Sequence, residues 1–507
     1  MSAQWLSLIA TIWLQSVNGT NSNFPAYSSE LKRILSISQL QLNNLASASD
    51  AGKLLGWLSG IAAAHLPLWL VLAIGSLLGL VGYGVQFLFL ANQGPSLSYC
   101  HIFALNILAG NSICWINTVC YIIAIRNFPL DRQVAVGLST SYVGLSAKIY
   151  AVVVDVVFSG SVAERARAFL LLNSVLPLMV CVAAAPLARE LVDVEKSRKL
   201  ERGFFGMYAI TVVTGLFAVI TSLRLRFLPP PPRWMVLVGM VVFLLLPLLV
   251  PCAESVREGV QRKCLIRVHD DEGLTSFARP TKDELEEISR ESDFGVVGAK
   301  LTMVRSVEFW LYFGVYMFGA TIGLVYLNNL GQIGESRGCS GTSCSLVSVS
   351  SAFSFFGRLL PSLLDYFYPR SKRLVSRAIA MGGMMTPMCG AFFLLLNGHH
   401  ISLYVSTAII GTCTGAITSI SVSTTTQLFG TKNFGVNHNI VVSNIPIGSF
   451  LFGDLAALLY RRQTCVGQNC YQLTFIIWGS LCVVGTLLAF VLHARTKKKL
   501  CSHINRL

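Results

Sequence analysis

The sequence predicts an all-α polytopic membrane protein, and three observations carry that prediction. Hydrophobic residues make up 53% of the chain and charged residues only 12%, with a mean hydropathy of +0.62, whereas a soluble domain carries about 25% charged residues. Apolar runs of about 18 or more residues, each long enough to cross a bilayer as a helix, recur from end to end. Lys and Arg gather in alternate loops, the asymmetry that membrane insertion leaves behind.

Fourteen spans are expected, at roughly 5–27, 43–64, 68–91, 101–125, 133–158, 168–188, 204–223, 234–251, 308–330, 345–366, 374–396, 401–427, 436–460 and 471–493. They divide the chain into a six-helix bundle (1–188), a linker with an accessory two-helix hairpin (189–251), a hydrophilic loop (252–305) and a second six-helix bundle with its tail (306–507). With the N-terminus inside, the cytoplasmic loops and tail hold 26 Lys and Arg, the exoplasmic loops 10 and the spans 3. Both termini are therefore expected in the cytoplasm, at the plasma membrane or an endomembrane. The net charge of +15 reads as membrane-flanking charge, and no nucleic-acid partner is expected.

The first span is not read as a signal peptide, because no Lys or Arg precedes it and Gln15, Asn18 and Asn23 interrupt it. The sequon at Asn18 falls within or against the membrane. The polar stretch 28–42 is expected as an exoplasmic loop with a helix starting at Ser29. The second span carries Asp50 and Lys53, and the third has Gly75 and Gly79 at the spacing that lets helices approach closely. The fourth is unusually polar, with Asn106, Asn111, Trp115, Asn117 and Tyr121. Such groups in hydrocarbon must bond to one another or face a water-filled cavity. Asn127-Phe128-Pro129 then breaks the helix. The fifth span holds Lys148 and Asp155 on one face, too far apart for a direct pair. Four prolines, Pro229 to Pro232, join the helices of the hairpin as a stiff turn. In the long loop, Thr281 and Glu284 have capping-box spacing for a short helix.

Phe356 to Arg373, FGRLLPSLLDYFYPRSKR, concentrates the charge information. Arg358 lies inside the apolar run and Asp365 at its end, on the same face about two turns later. Arg370, Lys372, Arg373 and Arg377 follow as a cytoplasmic flank. A stop-transfer flank with a snorkelling arginine is the plainer alternative, but Arg358 is too deep to reach the interface easily.

The chain has 14 cysteines, most of them scattered in spans, where they serve as small hydrophobes. Cys339 with Cys344 and Cys465 with Cys470 fall in loops expected outside, on the oxidising side. Disulfides are the favoured reading. A metal site is the other, but no His or third Cys accompanies either pair, and connectivity is open. No Walker loop, HExxH or GxSxG is present, so neither an enzyme nor a bound cofactor or metal is expected. His399 and His400 read as solvent-facing residues of a short turn.

The Phe24 to Asp50 stretch, Asn127-Phe128-Pro129 and VGLSTSYVGLSAKIY from Val136 resemble the plant nodulin-like domain. FGRLLP from Phe356, QLFGTKNFG from Gln427 and NIPIGSFLF from Asn444 resemble the C-terminal half of the group named for Nuclear Fusion Defective 4. The resemblance covers most of the chain. It implies the major facilitator fold, two six-helix halves here joined through the extra hairpin, and a more distant likeness to monocarboxylate-type carriers. The superfamily's loop motif, G-x-x-x-D-[RK]-x-G-x-[RK]-[RK], is matched in the second half by Asp365 and by Arg370, Lys372 and Arg373, with Pro361 in the glycine place. In the first half Gly56 is kept, but Gly60 stands where the Asp belongs and no cations follow, so the two halves cannot latch alike.

Lys53, Lys148, Arg358 and Asp454 are the deep ionisable residues, on the second and fifth helices of each six. In facilitators those helices meet between the halves. The expected function is a secondary carrier moving a small solute by alternating access. Three cations against one deep carboxylate suggest an organic anion, with Asp454 as counter-charge to Lys148 or as the group for a coupled proton. Internal ion pairs are the alternative for those charges. The expected binding residues are Lys53, Asn111, Asn117, Lys148, Arg358 and Asp454, in a monomer. A non-transporting sensor or assembly factor on the same fold is the alternative from another class.

Overall fold

The computed structural model describes residues 2–94, 96–158, 160–191, 201–222, 231–268, 303–337, 343–367, 376–456 and 471–504. Every regular element among them is helical. The first half comprises α1 (Ser2–Val17), a 3-10 turn (Thr20–Asn23), α2 (Phe24–Leu35), α3 (Gln39–Ala51), α4 (Trp57–His65), α5 (Leu68–Leu90), α6 (Tyr99–Asn127), α7 (Arg132–Ser141), α8 (Val143–Val157) and α9 (Val162–Ala184). The hairpin is α10 (Glu201–Ser222), α11 (Arg233–Leu245) and α12 (Leu249–Val268). The second half comprises α13 (Val307–Tyr316), a π turn (Met317–Thr321), α14 (Ile322–Asn328), α15 (Leu330–Ser336), α16 (Ser343–Phe367), α17 (Arg377–Leu394), α18 (His400–Phe429), α19 (Phe434–Val442), α20 (Asn444–Gly448), a second π turn (Ser449–Gly453) and α21 (Gln472–Ile504).

Eleven helical stretches among the described residues are long and apolar enough to cross a membrane. They coincide with eleven of the fourteen expected spans. The expected spans 5–27 and 43–64 are each divided, α1 having 16 residues and α3 and α4 being split by the 3-10 turn Gly52–Leu55. The one at 374–396 is the 18-residue α17, with Pro387 inside. The expected loop 28–42 is largely helical: α2 starts at Phe24, with Pro25 in its first turn where a missing N–H costs nothing. Its buried face is Tyr27, Ser28 and Leu31. Ser29, where a helix is expected to start, lies inside α2, and a further helix begins at Gln39, where Ser38 and Gln41 cap each other's backbone N–H groups.

Local signals position the rest. Asn127 ends α6 as expected, and its side-chain amide donates to Ser7 Oγ and Arg189 O while its oxygen accepts from Leu191 N. One residue thus ties α1 and the end of the first bundle to α6. A Cβ at Gly75 would lie 2.6 Å from that of Trp115, so the small residues of α5 do admit α6 closely. Asn18 is buried and donates to Ile113 O and Asn117 Oδ1. Asp155 pairs with Arg165 at 2.5 Å.

The second and fifth helical rods of each half do meet, as two antiparallel seams. Along the first, α3 and α4 lie against α19 and α20; along the second, α7 and α8 lie against α16. The hairpin does not stand apart. Helix α10 packs on α7, α8 and α16, and Phe204, Met207, Tyr208 and Ala218 join the apolar cluster that also holds Tyr142 and Phe355. Cys339, Cys465, Cys470 and the side chain of Cys344 lie outside the described residues, as do Lys372, the Pro229-Pro230 part of the proline tract and the Thr281–Glu284 cap, so the disulfides remain expectations.

Candidate functional site

The first seam is bonded along its length. Asn439 Nδ2 donates to Thr118 Oγ1 at 2.8 Å and to Ser59 Oγ at 3.4 Å, and the two hydroxyls are 2.7 Å apart. Next to them Gly60 lies backbone-to-backbone on Gly435, where a Cβ would be 2.3 Å from the Gly435 carbonyl carbon. This is the position where the facilitator motif asks for Asp. The close approach explains the glycine: the halves meet here backbone to backbone. Near the other end, buried Asp50 pairs with Lys53 at 2.5 Å and reaches Asn328 and Ser449 of the second half. Gln332 donates to Asn43 Oδ1 at 2.9 Å farther along.

The second seam is built differently. Arg358 Nη1 donates to Thr140 O at 3.2 Å across the halves. A Cβ at Gly137 would lie 2.4 Å from Ser362 Oγ, so these helices also touch closely. Gln133 holds the end of the seam: its amide donates to Ser419 Oγ at 3.2 Å, while its oxygen accepts from Arg377 Nη1 at 3.0 Å and from Ser423 Oγ. Arg377 in turn lies 3.8 Å from Asp365. The motif carboxylate thus works through Arg377 onto a first-half glutamine, whereas Arg370 and Arg373 lie outside the described residues.

Arg358 sits where the halves converge. Its Nε is covered and, among the described residues, lacks a hydrogen-bond partner. Tyr121 of α6 and Tyr316 of α13 lie within electrostatic reach of its guanidinium, and among the described residues it forms no ion pair with a carboxylate. Tyr121 meets the His438 ring edge-on at 5.4 Å, and His438 stacks on Phe434 at 5.1 Å. His438 Nδ1 is 3.1 Å from Thr425 Oγ1, itself 3.1 Å from the Tyr312 hydroxyl. One cation, ring hydroxyls from both halves, a histidine and a threonine hydroxyl are elements from which a site for an anionic group, bonded also through neutral donors, can be built.

The other expected residues are placed elsewhere. Lys53 is taken up by Asp50, an i,i+3 pair whose spacing was the available signal. Asn111 donates to Gly52 O and accepts from Trp115 Nε1, fastening the 3-10 turn of the second rod to α6. Asn117 accepts from Asn18. Lys148 donates to Thr221 O of the hairpin at 3.2 Å. Asp454 is exposed and forms no ion pair with Lys148 among the described residues. Tyr316 and His438 were not singled out by sequence. The only available signal for His438 was a histidine between two asparagines in an otherwise apolar run.

The chain matches the Nodulin-like family model over residues 4–252 and the NFD4 C-terminal domain model over residues 293–502. Protein NUCLEAR FUSION DEFECTIVE 4 of Arabidopsis thaliana is 37% identical over 536 aligned residues, covering 97% of this chain and 89% of that protein. Similar solved folds include the proton:xylose symporter XylE, with TM-score 0.58, 12% identity, and 96% and 94% of the two chains covered. The transporter FucP in its outward conformation gives TM-score 0.51 at 12% identity over 97% and 99%. The human organic anion transporter MFSD10 gives 0.50 at 12% over 96% and 97%. The chain therefore belongs to the plant Nodulin-like and NUCLEAR FUSION DEFECTIVE 4 family and has the major facilitator fold.

Proposed function

We propose that the protein is a secondary carrier of a small organic anion, working by alternating access, with Arg358 as the cation that holds the solute's charge. The observation that carries this reading is an arginine between the two halves whose Nε lacks a partner and which has no carboxylate partner among the described residues. An ionised side chain at membrane depth costs about 2.5–3.5 kcal/mol on insertion scales. A solute carboxylate offsets that cost, and the guanidinium fork can grip it through two parallel bonds. Tyr121, Tyr316 and His438 supply neutral hydrogen-bonding groups around it. Two seams of antiparallel helices give each half a surface along which to part on either side of the solute. In this reading the stretch 5–27, α3–α4 and α17 also cross the membrane, giving fourteen spans, and the excess of Lys and Arg in alternate loops places both termini in the cytoplasm. The solute enters with a proton, so that the anion's charge is balanced.

Uptake into reconstituted vesicles under an imposed proton gradient, across a panel of carboxylates, tests the reading. At least one carboxylate should accumulate. Arg358→Ala should abolish uptake, and Arg358→Lys should restore little of it, because a point charge does not replace the planar fork. Failure of every panel anion to enter favours a non-transporting sensor, and full activity of Arg358→Ala removes the arginine from the site.

A further inference from the structure

Asp50 divides its two oxygens between the two halves of the protein. Its Oδ1 lies 2.5 Å from Lys53 Nζ, one turn along the same rod. Its Oδ2 accepts from Asn328 Nδ2 at 3.3 Å and from Ser449 Oγ at 3.1 Å, both in the second half. Neither donor stands in the middle of a regular helix. Asn328 is the last residue of α14, and Ser449 opens a π turn; π turns are rare and occur often at functional sites. Asp50 itself is only 5% exposed, and a carboxylate is tolerated so deep only when its charge is countered and its lone pairs are filled. Lys53 supplies the charge, and the opposite half fills the lone pairs.

We infer that Asp50 is the latch of the first seam at the Asn43 end, opposite Gly60, and that opening there is the release of Asn328 and Ser449 from its carboxylate. The Asp50–Lys53 pair stays together on its own rod as the halves part, so no isolated charge is created when the latch opens. Asn43 and Gln332, bonded across the same end of the seam, then separate as well. The use of this latch in transport rests on the carrier reading above, but the latch itself can be examined with no solute present.

The competing view is that Asp50 merely neutralises Lys53. The two views differ in what they expect of variants that keep the charge balanced. A short bifunctional thiosulfonate crosslinker, applied to full-length protein carrying Asn43→Cys and Gln332→Cys, reports closure of this end; each single-cysteine variant is the control. Two changes are then added separately. Asn328→Ala with Ser449→Ala removes the opposite donors and leaves the ion pair intact. Asp50→Ala with Lys53→Ala removes the latch and leaves no charge behind. Loss of the crosslink is expected in both, together with increased labelling of the Asn43→Cys thiol by an impermeant maleimide. Labelling of a cysteine at Val436, at the Gly60 end, should not rise, which separates opening of one end from general unfolding. Native crosslinking in either pair of variants overturns the latch. Loss of uptake with the crosslink unchanged leaves the carrier reading standing and refutes the latch.

Discussion

The two seams join the same two halves by different chemistry. Along the first, the α4 end is closed by glycine backbones and a cluster of amide and hydroxyl groups, and the α3 end by the divided carboxylate of Asp50. Along the second, the α7 end is held by Gln133 among two serines and Arg377, and the middle by Arg358 on a carbonyl. The second seam is also covered by α10, which touches both sides: Tyr142 meets Thr211 at 3.3 Å, Lys148 donates to Thr221 O, and Tyr208 lies 5.4 Å from the Tyr366 ring. The first seam is joined by a few hydrogen bonds and glycine contacts, whereas the second also carries a brace that contacts both halves. The pseudosymmetric halves are thus fastened unequally along their two seams.

The largest effect is expected from Gly60→Val. Its side chain cannot fit against the Gly435 backbone, and overpacking of this kind costs about 1–3 kcal/mol. A cysteine at Val436 should become open to labelling from the Gly60 side of the membrane, while crosslinking between cysteines placed at Asn43 and Gln332 should persist. Equal labelling with and without the valine shows that the glycine contact does not close this end.

Gln133→Ala makes the matching cut in the second seam. It removes bonds to Ser419, Ser423 and Arg377, and hydrogen bonds to a charged partner are worth about 1.5–3 kcal/mol. The melting temperature in detergent should fall, and Asp365→Asn added to it should cost little more, because Asp365 acts on this seam through Arg377. Independent, additive losses contradict that coupling.

The brace is sharpened by a double-mutant cycle on Tyr208→Ala and Tyr366→Ala. Ring pairs are worth about 0.5–1.5 kcal/mol beyond their burial, so a coupling energy in that range is expected from thermal unfolding. A coupling of zero means that α10 lies on the seam without holding it.

The smallest effect belongs to a tie outside both seams. Arg33 bonds Glu30 through two guanidinium nitrogens, at 2.7 and 3.1 Å, and holds its carboxyl below the usual value. What the pair contributes is present above the unfolded carboxyl's pKa and is lost as pH falls through the lowered folded value. Arg33 is exposed and the pair is screened by solvent on that side, so Glu30→Gln should melt almost with the parent at neutral pH. Any small difference should vanish on acidification, and one that grows instead reverses the assigned sign.

Most of the scaffold was legible before the structure. Eleven spans announce themselves because a lipid-facing helix must be apolar over its whole length. Of the other three expected spans, α17 has only 18 residues, and α1 with its 3-10 turn and α3–α4 carry buried polar residues such as Gln15, Asn18, Asn23, Asp50 and Lys53 that face other helices instead of lipid. Helix α2 starts at Phe24, five residues before the helix expected at Ser29, because Pro25 opens its first turn. Arg358 stood out since an arginine inside an apolar run is expensive wherever it goes. Lys148 stood out for the same reason, yet its described partner is a hairpin carbonyl 73 residues away.

Each segment's own residues fix what it must avoid: charge in lipid, unbonded backbone in hydrocarbon, cations on the wrong side. Those are one-body costs, incurred residue by residue, and they set the helices, the division into halves and the depth of the charged residues. Which groups satisfy one another was decided only in three dimensions. Asp50 meets Ser449 across 399 positions, Gln133 meets Ser423 across 290 and Asn439 meets Thr118 across 321. Such pairings depend on two bodies being brought together at a chosen rotation and depth, and no local property of either segment encodes that choice.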